Sequence, residues 1–496
     1  MRFAVLGTLL VAGIFISGCL GGSSKPTTIT DPTDEVVRFA GDLPPVYVST
    51  DEFFEQDYAA PDFPRVVEVL TGGRGAEPNI GVTSKGGIFI TAFDSTQRSL
   101  DGGKTWQTVY DFGALAPGTP DPFTTSDPML WVDPDTDRIF TNQMWPILTC
   151  SSNIISDDNG NTWTHVPMSC GLPVVDHQKI MTAPSRLPVP MGVYKNLVYY
   201  CYNKLATTNC AVSYDGGLHY QYDVPIASVE TTGPECGGIN GHPAAALDGT
   251  VYVPHGYNCG TPHVSVTEDN GLTWTTHAFG EATGLQDIDP DMTITPDGTA
   301  YYYGRGEDGS GYLYRSKDKF ETVQGPFRVN PPDVQGVVFA GITSGDDGRI
   351  AISYLGNREW KGNPDVAPDN VTWHLFMTYS YDAAAATPTF QTHQVTPPSD
   401  PVQIGCLLIG GGGNPCRNLL DFIDMVHDKD GRIYVAFTDG CTEKNGCSNN
   451  PKATGNESRD RAVALAVQDH GPSLLASKGL LPSLGWITQV NNPTKK

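Results

Sequence analysis

An all-β fold built from repeated four-stranded units is what this sequence predicts, and three observations predict it. The first is a short pattern that occurs four times, Ser/Thr-x-Asp-x-Gly-x-x-aromatic. Its copies are Ser99, Asp101, Gly103 and Trp106; Ser156, Asp158, Gly160 and Trp163; Ser213, Asp215, Gly217 and Tyr220; and Thr267, Asp269, Gly271 and Trp274. The second is regularity: the four aspartates stand 57, 57 and 54 residues apart, the length of about four strands with their turns. The third is composition, since 496 residues include 55 Gly and 39 Pro, with 10% aromatic and 17% charged, a turn-rich rather than a helical profile. Length alone would allow several domains. A closed ring of repeats grows by adding blades, however, so one large β-propeller over residues 65–470 accounts for most of the chain.

The pattern carries its own physics. Asp/Asn-Gly supplies the positive φ of a tight hairpin turn, the Asp and Ser/Thr side chains accept bonds from the turn's backbone N–H groups, and the aromatic packs beneath. Two decayed copies follow at Ser316 with Asp318 and at Ser380 with Asp382, both lacking the Gly and the closing Trp.

These windows resemble the Asp-box (BNR) repeat of the sialidase superfamily of β-propellers, over a stretch from about Arg65 to Val467. The resemblance implies architecture first, because that family includes sialidases, other glycosidases, sorting receptors and members without known activity.

A second repeat marks the inner strands: a polar opening, an apolar run, a tight turn and another strand. It opens at Glu77, Asp127, Asp176, Asn240, Asp289, Phe339 and Asp421. Seven copies favour seven blades, with six as the alternative, since the enzymes of the resembling family are usually six-bladed. Arg65 to Leu70 alternates and β-branches like a strand. Standing before any complete blade, it is placed to close the ring as the outer strand of the last one.

The N-terminus predicts export. An apolar run from Phe3 to Ile16 ends in Ser17, Gly18 and Cys19, resembling the lipobox of prokaryotic lipoproteins. Residues 1–18 are accordingly expected to be a cleaved signal peptide and Cys19 the lipidated N-terminus, on the outer side of a prokaryotic membrane. Residues 19–40 would be a flexible tether, 41–64 an irregular segment and 471–496 a C-terminal tail. With 31 basic against 55 acidic residues, the formal charge is −24. Such a surface excludes nucleic acid and anionic lipid as partners, leaving the lipid anchor as the membrane contact.

Ten cysteines remain after Cys19, an even number that in an exported chain predicts disulfides. On a scheme of strands A to D per blade, the B–C and D–A connections share one face, opposite the repeat turns. All ten cysteines map to that face, and neighbouring connections suggest Cys150–Cys170, Cys201–Cys210, Cys236–Cys259, Cys406–Cys416 and Cys441–Cys447, although spacing does not by itself fix connectivity. No Cys-x-x-Cys or His-Glu-x-x-His supports a transition-metal site.

Loops on a rigid scaffold carry function, so the cysteine-bearing face is the candidate site. The resemblance implies that a sialidase-type enzyme needs an arginine clamp for a carboxylate, a Tyr/Glu nucleophile pair and an acid/base Asp. Arg74, Arg305, Arg358 and Arg417 are the candidate clamp, Tyr257 with Glu235 the pair, and Asp94 the acid/base. The family's first-blade arginine motif is absent, and the loop holding Asp94 is short. Asp127, Asp176, His177, His242, Asp289, Asp291, Asp421 and Asp424 should ring the channel mouth, either binding sugar hydroxyls or capping strand ends. No cofactor is required; an oxygen-rich set of this kind would suit Ca²⁺, with Asp287, Asp289 and Asp291 the densest group. The expected function is binding of a glycan or envelope polymer with weak or no hydrolysis. The alternatives are an active exo-sialidase-like glycoside hydrolase and a propeller that binds a surface protein.

Overall fold

Strand pairing organises the chain into seven antiparallel four-stranded sheets. A computed structural model describes residues 65–485 apart from 75–76, 93–94, 113–126, 145–150, 169–175, 189–193, 205–206, 229–238, 257–260, 281–288, 397, 399–400, 408–418, 420, 443–445 and 448–461. The expected signal peptide, tether and segment 41–64, with the last residues 486–496, lie outside this description.

Blade 1 consists of Asn79–Val82, Ile88–Ala92, Ser95–Ser99 and Gln107–Asp111. Blade 2 follows as Met129–Val132, Ile139–Met144, Ser151–Ser156 and Thr164–Met168, and blade 3 as Asp176–Ala183, Leu197–Lys204, Thr207–Ser213 and Gln221–Ser228. Blade 4 is Ala244–Ala245, Val251–His255, His263–Thr267 and Thr275–Ala278; blade 5 is Asp291–Ile294, Ala300–Arg305, Gly311–Ser316 and Gln324–Arg328. Blade 6 is Gly336–Ser344, Ile350–Asn357, Thr372–Ser380 and Gln391–Gln394. Blade 7 takes Asp424–His427, Ile433–Asp439 and Ala462–Pro472 from the C-terminal end of the chain. Its outer strand is Arg65–Arg74, paired antiparallel to Ala462–Pro472 with Val67 opposite Val467. Each blade's first strand touches the first strand of the next, and the series returns from blade 7 to blade 1. Seven blades and closure by the early strand are therefore the observed architecture, and the six-bladed alternative falls.

The core lies between blades. Ile80, Ile88 and Ile90 of blade 1 pack on Ala436, Leu465 and Val467 of blade 7, and Tyr301 and Tyr303 of blade 5 pack on Ile342, Ile352 and Tyr354 of blade 6. Alternation along each strand thus buries both faces of every blade in a ring of sheet-on-sheet layers.

The repeat turns share one bonding scheme. Asp158 Oδ1 accepts from the N–H groups of Asn161 and Thr162, at 3.0 and 2.8 Å, and Oδ2 accepts from Thr162 Oγ1 at 2.7 Å. Ser156 Oγ takes the N–H of Gly160 at 2.9 Å. Asp101, Asp215 and Asp269 stand in equivalent networks. Gly160 is glycine for two reasons: its φ is 79°, and a Cβ would stand 2.6 Å from the Phe89 ring of blade 1. In the fifth copy Phe320 takes that position at φ 69°, and its buried ring fills the seat on blade 4 against Tyr252 and Phe279.

Cys201 and Cys210 form a disulfide with Cα atoms 4.1 Å apart. The expected pairing is correct and its expected place is not. Both cysteines lie within strands of blade 3, directly opposite each other and fully buried against blade 4, rather than in a connection on the candidate face. The strands Leu197–Lys204 and Thr207–Ser213 run longer than expected and take the cysteines into the sheet. Cys406 and Cys441 each take part in a disulfide of their own. Cys441 faces Cys447 across a short ladder, but the side chain of Cys447 and residues Cys150, Cys170, Cys236, Cys259 and Cys416 lie outside the described set.

Candidate functional site

The first residues of the inner strands gather at one end of the channel, where local backbone explains their placement. Glu77, Asp127 and His177 adopt left-handed φ values of 53°, 52° and 46°, a conformation costing roughly 1 to 2 kcal/mol for a residue with a Cβ. What holds them is a relay from blade to blade. Glu77 Oε2 accepts the N–H of Asp127 at 3.0 Å, and Asp127 Oδ2 accepts that of His177 at 2.8 Å. The same device recurs deeper in the ring, where Asp291 Oδ2 takes the N–H of Ile342 at 2.8 Å and Asp424 Oδ2 that of Ile80 at 2.9 Å. Several expected mouth residues therefore cap neighbouring strands, and these bonds tie consecutive blades together.

Charge in this cluster is unevenly matched. Asp289 is buried between two bases, with Lys179 Nζ 3.2 Å from Oδ1 and His177 Nδ1 3.3 Å from Oδ2. Lys179 also lies 4.0 Å from the centroid of the Phe422 ring. Burial opposes the charge on Asp289, but Lys179 and His177 outweigh it and hold the carboxyl well below its usual range. Burial likewise opposes the charge on His177, and Asp289 and Asp127 hold it well above its ordinary value. His242, against Phe422 at 5.3 Å between ring centroids, is pushed down to about 3 by burial and then by Lys179.

The remaining carboxyl groups are pushed the other way. Burial and the charge of Asp127 raise Asp176 to about 7. Burial raises Asp424 to about 7 against the N–H bonds it accepts, and burial with the charge of Asp424 raises Asp291 well above its usual value. Glu77, Asp127 and Asp421 are buried beside them. Burial of this kind drives the three raised carboxyl groups toward their protonated form.

All eight expected mouth residues thus lie at the inner-strand openings. Asp287 is outside the described residues, so the densest expected group is seen only through Asp289 and Asp291. Asp289 is matched by Lys179 and His177, while Asp291 spends its oxygens on the N–H groups of Ile342 and Met292. Sequence reasoning did not nominate Glu77 or Lys179. Glu77 carried a usable signal, since it opens an inner strand in the same way as Asp127.

The expected arginine clamp is not brought together by the described residues. Arg305 ends the second strand of blade 5, 1% exposed, with Nη2 donating to Gly362 O at 3.1 Å. Arg358 follows the second strand of blade 6 and reaches solvent. Its Nε donates to Asp333 Oδ2 at 3.1 Å, its Nη1 donates to Gln394 Oε1, and its guanidinium lies 5.1 Å from the Phe376 ring centroid. These groups, with Phe390 and Thr392, line a pocket of about 300 Å³ at the outer edge of blade 6. Asp94, Tyr257, Glu235, Arg417 and the side chain of Arg74 lie outside the described residues; the backbone of Arg74 ends the ring-closing strand.

No protein-family model matches the chain, and no curated protein matches it. Among solved structures it is similar to the GH74 enzyme of Niastella koreensis, with 15% identity over 74% of this chain and 51% of that one, at a TM-score of 0.48. It is similar to the BP39L lectin of Burkholderia pseudomallei, with 9% identity over 73% and 96% of the two chains, at a TM-score of 0.47. A Hadza microbial sialidase is similar at 17% identity over 57% and 64%, at a TM-score of 0.41. The chain spans about half the length of the GH74 enzyme. At TM-scores below 0.5 these likenesses carry no argument, and the fold and blade count rest on the strand pairing of this chain.

Proposed function

We propose that this chain is an exported, lipid-anchored propeller that binds a glycan or envelope polymer and does not work as an efficient sialidase. The observation that carries this reading is the different fate of the two arginines. A carboxylate clamp needs several guanidinium groups facing one solvent-filled site, because positioning and charge stabilisation act together on the transition state. Arg305 is sealed beneath Gly362, whereas Arg358 stands at the pocket with Asp333 and Gln394.

The pocket's chemistry suits a sugar. Phe390, half-buried, offers apolar surface for the C–H face of a pyranose ring, and Arg358, Asp333, Gln394 and Thr392 offer donors and acceptors for its hydroxyl groups. Export and the lipid anchor, supported by the N-terminal pattern ending in Cys19, would place this surface at the cell envelope.

A glycan array run beside a fluorogenic sialoside assay, on wild type and Arg358→Ala, tests the reading. The expected result is selective glycan binding, weakened roughly tenfold or more in Arg358→Ala, with little or no sialic acid released. Robust turnover abolished by the same substitution would establish the hydrolase instead. A folded protein without any glycan ligand would favour a protein partner.

A further inference from the structure

Three points of the chain, all at the end of the propeller opposite the repeat turns, supply the polar groups of the blade 6 pocket. Asp333 lies in the link between Gln324–Arg328 and Gly336–Ser344, Arg358 follows Ile350–Asn357, and Gln394 ends Gln391–Gln394. Arg358 is held from three sides: its Nε donates to Asp333 Oδ2 at 3.1 Å, its Nη1 donates to Gln394 Oε1, and its guanidinium stands 5.1 Å from the Phe376 ring centroid. The side chains of Arg358 and Asp333 are nevertheless 42% and 62% exposed, so a ligand in the pocket can reach both.

The Arg358–Asp333 contact uses one nitrogen and one oxygen, and it leaves a donor and an acceptor open beside each other. Among the described residues neither Arg358 Nη2 nor Asp333 Oδ1 has a hydrogen-bond partner. Gln394 Nε2, by contrast, donates to Thr396 O at 2.8 Å, and Thr392 Oγ1 shares a bond of 2.8 Å with Thr378 Oγ1. A donor next to an acceptor fits two neighbouring hydroxyl groups of a sugar ring, one accepting from Nη2 and the other donating to Oδ1. A carboxylate fits only half of this arrangement, because near neutral pH it has no proton to donate.

Charge points the same way. Arg358 is the cation among the lining residues, and it already faces two carboxylates: Asp333, and Glu359, whose Oε2 accepts the Arg358 N–H at 3.1 Å. Arg328 is not among the lining residues, and its Nη2 donates to Val334 O at 3.5 Å. His374, which burial and then Arg358 hold down to about 4, adds no charge near neutral pH. A sugar acid would bring a third carboxylate to one guanidinium, on a chain whose formal charge is −24.

Resting on the glycan-binding reading above, we propose that Asp333 sets the specificity of this pocket: paired with Arg358, it selects an uncharged pyranose presenting adjacent hydroxyl groups and rejects uronic and sialic acids. Asp333 supplies both the attractive element, an acceptor for a hydroxyl proton, and the repulsive one, a fixed negative charge.

The probes for a test are matched oligosaccharides, each a neutral hexose chain beside its C6-oxidised uronate, screened on an array and then measured by calorimetry with wild type and Asp333→Asn. Wild type should bind the neutral member of a pair about tenfold or more tighter than the uronate. Asp333→Asn keeps the shape and an acceptor oxygen but removes the charge, so it should narrow that gap by strengthening uronate binding. Added salt should narrow the wild-type gap as well, since exposed charges are screened, and should move the Asp333→Asn gap less. The exposed position of Asp333 means that the variant should melt close to wild type. Tighter binding of uronates by wild type, or an equal preference in wild type and Asp333→Asn, would overturn the role of Asp333 while leaving glycan binding in place. A folded wild type that binds neither member of any pair would instead remove the glycan reading itself, and the role of Asp333 with it.

Discussion

Aspartate performs opposite tasks at the two ends of this propeller. At the turn end, Asp101, Asp158, Asp215 and Asp269 sit near solvent and accept bonds from backbone and hydroxyl donors. Partial burial pushes their pKa values up, but the donated bonds outweigh it and hold them below the usual carboxylate range. At the mouth end, Asp176, Asp291 and Asp424 are pushed upward, because burial, joined at Asp176 and Asp291 by neighbouring carboxylates, outweighs the few bonds they receive. The same residue type stabilises a turn as a carboxylate where donors are plentiful and is driven toward its neutral, protonated form where they are scarce.

Removing a matched cation should break the mouth end most severely. Lys179→Met leaves Asp289 buried without its ammonium partner, and a buried pair broken in this way costs about 3 to 5 kcal/mol. Denaturant unfolding should show that loss; a change within about 0.5 kcal/mol, the size of an ordinary surface substitution, would mean the ion pair is not formed.

The two arginines extend the comparison to positions that look alike in sequence. Arg305→Met removes a buried donor from Gly362 O and should cost about 1 to 3 kcal/mol of stability. Arg358→Ala loses an exposed ion pair and should cost no more than about 1 kcal/mol, yet it should abolish most glycan binding. Equal thermal shifts for both variants would undo the distinction.

The fold was legible because its signals repeat. The four turn copies, the seven inner-strand openings and the early strand each pointed to the same ring, and the pairing of Val67 with Val467 closes it. Even the copy without glycine kept its turn, since Phe320 adopts positive φ where its ring has a seat on blade 4. The site was less legible because its properties arise between blades. Nothing local to Arg305 says that Gly362, 57 residues later, covers it. Lys179 reads as an ordinary strand residue until the ring brings it to Asp289. The disulfide shows the same limit on a smaller scale: Cys201 and Cys210 were correctly paired, but strand length decided that they would lie inside a sheet.

The account's central claim is the opposition between the two sets of aspartates, and paired Asp→Asn substitutions measured against pH test it most directly. A difference from wild type is needed because buried neutral histidines add their own trend. His242 and His255, both lowered to about 3, contribute stability at neutral pH that is lost as pH falls below about 6.5. For Asp424 the folded state keeps a proton that the unfolded chain releases between about pH 4 and 7, so its contribution to stability falls as pH rises through that window. The cost of Asp424→Asn should therefore be greatest near pH 4 and shrink toward pH 7, by up to about 1.4 kcal/mol per pH unit. Asp158 is ionised throughout that range, so the cost of Asp158→Asn should stay level there and shrink only below about pH 4. Opposed profiles of this kind are the predicted result; parallel profiles for the two variants would contradict the account.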